Sequence, residues 1–97
     1  MAFEGENYAI PLMTIPAKEA MSQRYYFEYL DMYCKKRIKD KNISKEDKAL
    51  FYWLRARVSM LASYYSRAGR LFRKAFYLDP DNEMIKKDYE AYRYIMQ

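Results

Sequence analysis

The chain has 97 residues and a formal net charge of +5, with 18 basic side chains against 13 acidic ones. A length of this order supports one domain with a single modest hydrophobic core. The composition is 52% hydrophobic, with 12 Tyr, 5 Phe and 7 Met but only 2 Gly and 3 Pro. So few helix-breaking residues favour long helices over strands and turns, and the aromatic content excludes a disordered chain.

The residue types limit the chemistry. Cys34 is the only cysteine and His is absent, which excludes an internal disulfide and the common Cys/His zinc spacings. We therefore expect no metal and no cofactor, and we interpret Cys34 as a small core residue of a helix rather than a nucleophile. The sequence has no long apolar run and no basic leader region, so we expect no membrane span and a cytoplasmic protein.

Residues 1–16 differ from the rest of the chain. They carry Glu4 and Glu6, no basic side chain, and prolines at positions 11 and 16. Proline pushes the residue before it towards extended geometry, so this segment is predicted to be an extended N-terminal arm. Its many apolar residues indicate an arm that packs on the helices or on a partner, rather than a free tail.

Helix 1 is predicted to begin after Pro16 and to run to about Lys39. One apolar stripe consists of Ala20, Phe27, Leu30, Cys34 and Ile38, and a second consists of Met21, Tyr25, Tyr29, Met32 and Tyr33. A helix that is apolar over so wide an arc must be covered on two sides. We expect Met21, Tyr25, Tyr29 and Met32 to form a self-association surface of a homodimer, with cover by the arm as the alternative.

Three more helices are predicted. Helix 2 starts near Lys45, capped by Ser44, and ends somewhere between Ser63 and Gly69. Its main face is Leu50, Trp53, Leu54, Arg57, Leu61 and Tyr64. Helix 3 covers about Ser66–Leu78, with Phe72 and Ala75 buried against Tyr89 or Tyr92 of helix 4. Helix 4 spans residues 81–96, with Asp79 as its N-cap. The fold class is thus all-α, a small antiparallel bundle of about four helices over residues 17–97.

From position 49 to position 82 the chain resembles a tetratricopeptide (TPR) repeat. The matching residues are Tyr52 at the Trp position, Ala56 at the Gly position, Ala68 and Phe72 in the Ala-x3-Phe pair, and Pro80 at the late Pro. Three positions depart from the pattern, with Arg55 for Leu, Ser59 for Tyr and Ser63 for Gly. The match is therefore better in the second helix of the repeat than in the first.

The resemblance implies a helix-turn-helix unit followed by a capping helix over residues 81–96. In this family the first helices line a concave groove that holds peptides or partner helices. Carried over to this chain, the partner-binding residues would be Leu50, Trp53, Arg57, Met60 and Leu61. Trp53 remains open between partner binding and plain core packing.

Two classes of function therefore compete. The favoured one is a non-catalytic protein–protein interaction module or adaptor that self-associates. The other is a nucleic-acid binder that uses its basic residues, namely Lys35, Lys36, Arg67, Arg70 and Lys74. We expect Arg67, Arg70 and Lys74 to be solvent-exposed and unnecessary for folding. Catalysis by this chain alone is not expected because no acid–base pair is evident, although an accessory helical tail of a larger enzyme, such as a glycosyltransferase, remains open.

Overall fold

The computed structural model describes the backbone of residues 23–97 and the side chains of residues 26–97. Within this range the helices are α1 (Gln23–Ile38), α2 (Lys45–Leu61), α3 (Tyr65–Leu78) and α4 (Glu83–Ile95), and there is no strand. Helix α2 packs against both α1 and α3, and α4 packs against α3. The predicted all-α bundle is confirmed. The arm at residues 1–16 and the start of helix 1 after Pro16 lie outside the described residues.

The contact between α1 and α2 is built on the first predicted stripe of α1. Leu30 and Cys34 are buried, and Cys34 packs with the fully buried Phe51 of α2. The ring of Tyr33 meets Phe51 edge-on, with centroids 6.3 Å apart. Phe51 was not predicted to lie on the main face of helix 2. It is buried nonetheless, because α2 is covered by two helices and must bury residues on more than one face.

An ion pair lies at the same contact. Arg55 Nε donates to Asp31 Oδ1 at 2.7 Å, and the two side chains are only 14% and 5% exposed. Removing two charges from water is costly, and a direct hydrogen bond of this kind offsets much of that cost. Burial raises the pKa of the nearby Cys34 thiol to about 12, and Asp31 adds to the rise while Arg55 opposes it. Cys34 is therefore protonated at neutral pH, as a core residue would be.

Helix α2 ends at Leu61, two residues before the predicted range of Ser63 to Gly69, and the turn into α3 lies at Ser63. Ser63 has a φ of 67°, in the left-handed region, where a residue with a Cβ is disfavoured by about 1–2 kcal/mol. The Tyr64 N–H donates to the carbonyl of the buried Ser59 at 2.8 Å, which closes the turn. A serine therefore makes the reversal where the TPR pattern has a glycine.

Gly69 lies within α3 and serves a different purpose. A Cβ at this position would come within 2.7 Å of Tyr92 Cζ. The absence of a side chain lets the Tyr92 ring approach the α3 backbone, and its hydroxyl donates to the Tyr65 carbonyl at 2.9 Å. Close approach of α4 to α3, not a turn, is thus the reason for this glycine.

The contact between α3 and α4 follows the predicted stripes. Ala68, Phe72 and Ala75 are 0%, 3% and 0% exposed. Phe72 contacts Tyr92 with ring centroids 5.7 Å apart. Tyr89 instead meets Phe76, at 5.5 Å. The predicted burial of Phe72 and Ala75 next to α4 is confirmed.

Of the two predicted N-caps, the one for α2 is confirmed and the one for α4 is wrong. Ser44 Oγ accepts from the Asp47 N–H at 3.0 Å, as predicted for the start of α2. For α4 the predicted N-cap was wrong: Asn82 Oδ1 accepts from the Ile85 N–H at 3.1 Å. Asp79 is instead the C-cap of α3. The Asn82 N–H bonds to the Asp79 carbonyl at 3.1 Å, so Pro80 lies in a tight turn and α4 starts after it.

Truncation of Phe72 tests this core. We expect Phe72→Ala to lower the free energy of unfolding by about 3–5 kcal/mol, because a buried ring is replaced by a cavity. Tyr77→Ala is the matched control, since Tyr77 lies on the same helix and is 71% exposed; it should change stability by less than about 0.5 kcal/mol. Urea unfolding followed by circular dichroism measures both, and equal losses would contradict the assigned core.

Candidate functional site

Trp53 and Arg57, two of the residues predicted to bind a partner, converge on one carboxylate of α4. Trp53 Nε1–H donates to Asp88 Oδ2 at 2.6 Å, and Arg57 Nη1 donates to the same oxygen at 3.1 Å. The Arg57 guanidinium also lies over the Trp53 ring, 5.4 Å from its centroid. Helix α4 is therefore joined to α2 by a polar link, in addition to its packing on α3.

Next to this link lies an open cleft between α2 and α4. Its volume is about 170 Å³, and it is lined by Arg57, Met60, Phe72, Asp88, Ala91, Tyr92 and Ile95. Ile95 is 60% exposed, and Leu61, one turn beyond Arg57 on α2, is 67% exposed. Asp88, Ala91 and Ile95 recur at helical spacing, so one stripe of α4 lines the cleft. We call this region the α2/α4 groove.

The five predicted partner-binding residues have different surroundings. Arg57 and Met60 line the groove, and Leu61 is exposed beside it. Trp53 is partly buried, contacts two of the core clusters, and uses its N–H on Asp88. Leu50 is also partly buried and packs against the core. Of the five, Arg57 and Met60 line the groove, Leu61 is exposed one turn beyond Arg57, and Leu50 and Trp53 pack inside the domain.

The second stripe of α1 is only partly described. Tyr29 is 40% exposed and Met32 is 67% exposed, and they are three residues apart on one face. Met21 and the side chain of Tyr25 lie outside the described residues. The two described members of the predicted self-association surface are thus on the outside of the bundle.

The basic residues proposed for nucleic acid do not share one environment. Lys35 and Lys36 are exposed near the end of α1, and Arg70 and Lys74 are exposed on α3. The expectation that Arg67 is solvent-exposed was wrong. Its Nε donates to the buried Ser59 hydroxyl at 3.2 Å, and its guanidinium lies 4.5 Å from the Tyr64 ring centroid. Arg67 joins α3 to α2, because a buried hydroxyl needs a partner.

A basic cleft between α3 and α4 was not predicted as a unit. It has a volume of about 420 Å³ and is lined by Ser66, Gly69, Arg70, Arg73, Tyr89, Tyr92 and Arg93. Arg70 was expected on a basic face of helix 3. The approach of Arg93 from helix 4 could not be predicted, since it depends on how the helices pack. We call this region the arginine cleft.

Among residues 23–97, no helix has the length and apolar character needed to cross a membrane. The described side chains likewise contain no group of three or more Cys, Asp and Glu residues positioned to hold a metal ion. Polar groups line open clefts of the described part of the chain in the α2/α4 groove and in the arginine cleft. Both arrangements can recognise a ligand by contact and by charge.

Comparison of the chain with protein-family models, with curated proteins and with solved structures found no match. The resemblance to a TPR repeat therefore remains a prediction that rests on the residues between positions 49 and 82.

Substitution of Asp88 tests the link between α2 and α4. Asp88→Ala leaves the Trp53 N–H and the Arg57 guanidinium without their acceptor, and we expect a loss of about 1–3 kcal/mol in stability. Asp88→Asn keeps an acceptor for the indole and removes only a partly exposed ion pair, so about 0–1 kcal/mol should be lost. Glu90→Ala, an exposed carboxylate on the same helix, is the control.

Urea unfolding followed by Trp53 fluorescence measures these changes, because Trp53 is the only tryptophan. If Asp88→Ala and Glu90→Ala unfolded at the same urea concentration with the same emission maximum, the link would make no contribution in solution.

Proposed function

We propose that the chain is a non-catalytic protein–protein interaction module that binds an apolar segment of a partner protein in the α2/α4 groove. The observation that carries this proposal is the groove itself. Around a fixed charged pair, Arg57 and Asp88, it presents the apolar side chains of Met60, Ala91 and Ile95. Contiguous apolar surface that stays accessible and is rimmed by polar groups marks interaction sites.

The size of the groove favours a protein partner over a small ligand. Its volume of about 170 Å³ is below the roughly 300–1,000 Å³ that is typical of small-molecule sites. It suits one anchoring side chain of a partner segment, in the way that interface pockets hold single large residues. Leu61 and Ile95, 67% and 60% exposed, would then cover the flanks of that segment.

The charged pair in the groove favours a partner segment that carries a polar group beside its apolar face. Asp88 already accepts two hydrogen bonds, and the Arg57 side chain is still 52% exposed. Arg57 therefore keeps donors for a carboxylate or a carbonyl of the partner. This arrangement suits an amphipathic helix that lays its apolar face in the groove.

Selection from a peptide library tests the proposal and does not require the partner to be identified. We expect a displayed library of short peptides to yield amphipathic sequences that bind the full chain. Ile95→Glu should weaken their binding by at least about tenfold, because it places a charged side chain against an apolar segment. Tyr77→Glu is the matched control, since Tyr77 is 71% exposed and does not line the groove; it should bind as the parent does.

Calorimetry measures the affinities of the selected peptides, and circular dichroism checks that both variants are folded. A library that yields no binder, or binders that ignore Ile95→Glu, would remove the support for the groove as a binding site.

Self-association through α1 is the second candidate, and the exposure of Met32 favours it. Met32 is 67% exposed and Tyr29 is 40% exposed on the same face, and two-fold contacts are the commonest oligomer interface. We expect the parent chain to sediment as a dimer at micromolar concentration and Met32→Glu to sediment as a monomer. Met84→Glu, at a position 42% exposed on α4, should remain a dimer. A monomeric parent would contradict this candidate.

A further inference from the structure

The arginine cleft gathers positive charge from two helices. Ser66, Gly69, Arg70 and Arg73 lie at positions i, i+3, i+4 and i+7, which is one face of α3. From α4, Arg93 lines the same cleft. The three arginines are all exposed, and no carboxylate is among the residues that line the cleft.

These arginines are not used in ion pairs of the described residues. The two salt bridges found there join Arg55 to Asp31 and Arg57 to Asp88. Arg93 lies over the Tyr89 ring, 5.6 Å from its centroid, and this stacking leaves its N–H groups available. Like charges gathered at one place destabilise a fold slightly, and an anion bound between them would remove that repulsion.

From this geometry we infer that the arginine cleft binds a compact group carrying two or more phosphates. The planar guanidinium matches a phosphate with two parallel hydrogen bonds, so three of them can hold more than one phosphate at once. The Ser66 hydroxyl adds a neutral donor at the edge. The cleft volume of about 420 Å³ lies in the range of about 300–1,000 Å³ found for small-ligand sites.

The tyrosines of the cleft argue against a nucleic-acid strand as the occupant. Binding of single strands depends on aromatic faces on which bases stack. Here Tyr92 packs on Phe72 and bonds to the Tyr65 carbonyl, while Tyr89 packs on Phe76 and is covered by Arg93. Both rings are already engaged in the fold, so recognition in this cleft depends on phosphate alone.

The test uses the full chain and tripolyphosphate as the probe. We expect saturable binding by calorimetry, which Arg70→Gln/Arg73→Gln weakens by at least about tenfold because two charged hydrogen-bonding groups are lost. Lys35→Gln/Lys36→Gln is the matched control, because it removes the same charge from exposed positions on α1. It should bind as the parent does. Circular dichroism confirms that each variant is folded.

A charge-preserving pair separates a built site from general attraction. Arg70→Lys/Arg73→Lys keeps the charge but removes the planar donors, so we expect it to bind tripolyphosphate several-fold more weakly than the parent. Equal binding by this variant, or equal losses in the two glutamine variants, would overturn the inference, since either would show that net charge alone attracts the anion.

Two further probes identify the source of the phosphates. Sedimentation with vesicles of phosphatidylcholine containing phosphatidylinositol bisphosphate, reversed by tripolyphosphate, would support a lipid headgroup as the ligand. Binding of tripolyphosphate without sedimentation would support a soluble one. The inference would be overturned in favour of nucleic acid if two results came together: the chain retains a single-stranded RNA oligonucleotide that tripolyphosphate does not displace, and it shows no measurable binding of tripolyphosphate.

Discussion

Helix α2 has to be buried on more than one face at once, and the rest of the fold depends on how its side chains meet that constraint. Phe51 fills the contact with α1, while Ala56 leaves room for Phe72 of α3. Ala49 plays the same part beside Ile85 of α4. Large residues point towards one neighbour and small residues admit large residues from the others, which is how close packing is reached without voids. A central helix of this kind exposes few of its residues, and Arg57 and Leu61 in its last turns are among those few.

Each of the other three helices is also joined to α2 by a polar contact. Arg55 bonds to Asp31 of α1, the Ser59 hydroxyl accepts from Arg67 of α3, and Trp53 donates to Asp88 of α4. Partly buried polar pairs add little net stability, because the cost of removing them from water offsets most of the attraction. They do penalise any shift that would leave one partner buried and alone. We interpret the three contacts as fixing the relative positions of the helices, while the apolar stripes supply most of the stabilising free energy.

The sequence allowed the stripes to be predicted but not these contacts, and the reason is physical. Apolar periodicity reports which side of a helix avoids water, so Leu30, Cys34, Phe72 and Ala75 were correctly placed in the core. A polar residue has no such signature: Asp31 and Asp88 look like solvated carboxylates until the helix that carries their partner is positioned. Arg67 was misplaced for the same reason. Only Arg55 and Ser59 gave a sign in the sequence of such a polar contact. Both stand where the repeat that the chain resembles has an apolar or aromatic residue, and each has a polar partner in the structure.

The two candidate binding regions lie on either side of Tyr92, which lines both the α2/α4 groove and the arginine cleft. This ring is held by Phe72, by the space that Gly69 leaves open and by the Tyr65 carbonyl. Coupling between two sites requires an element with two arrangements that the ligands distinguish. A ring fixed at three points offers no second arrangement among the contacts described, so the geometry favours independent binding of a partner segment and of an anion. Because the rigid Tyr92 ring separates the apolar groove from the charged cleft, a single small helical domain would be able to contact two chemically different partners at once.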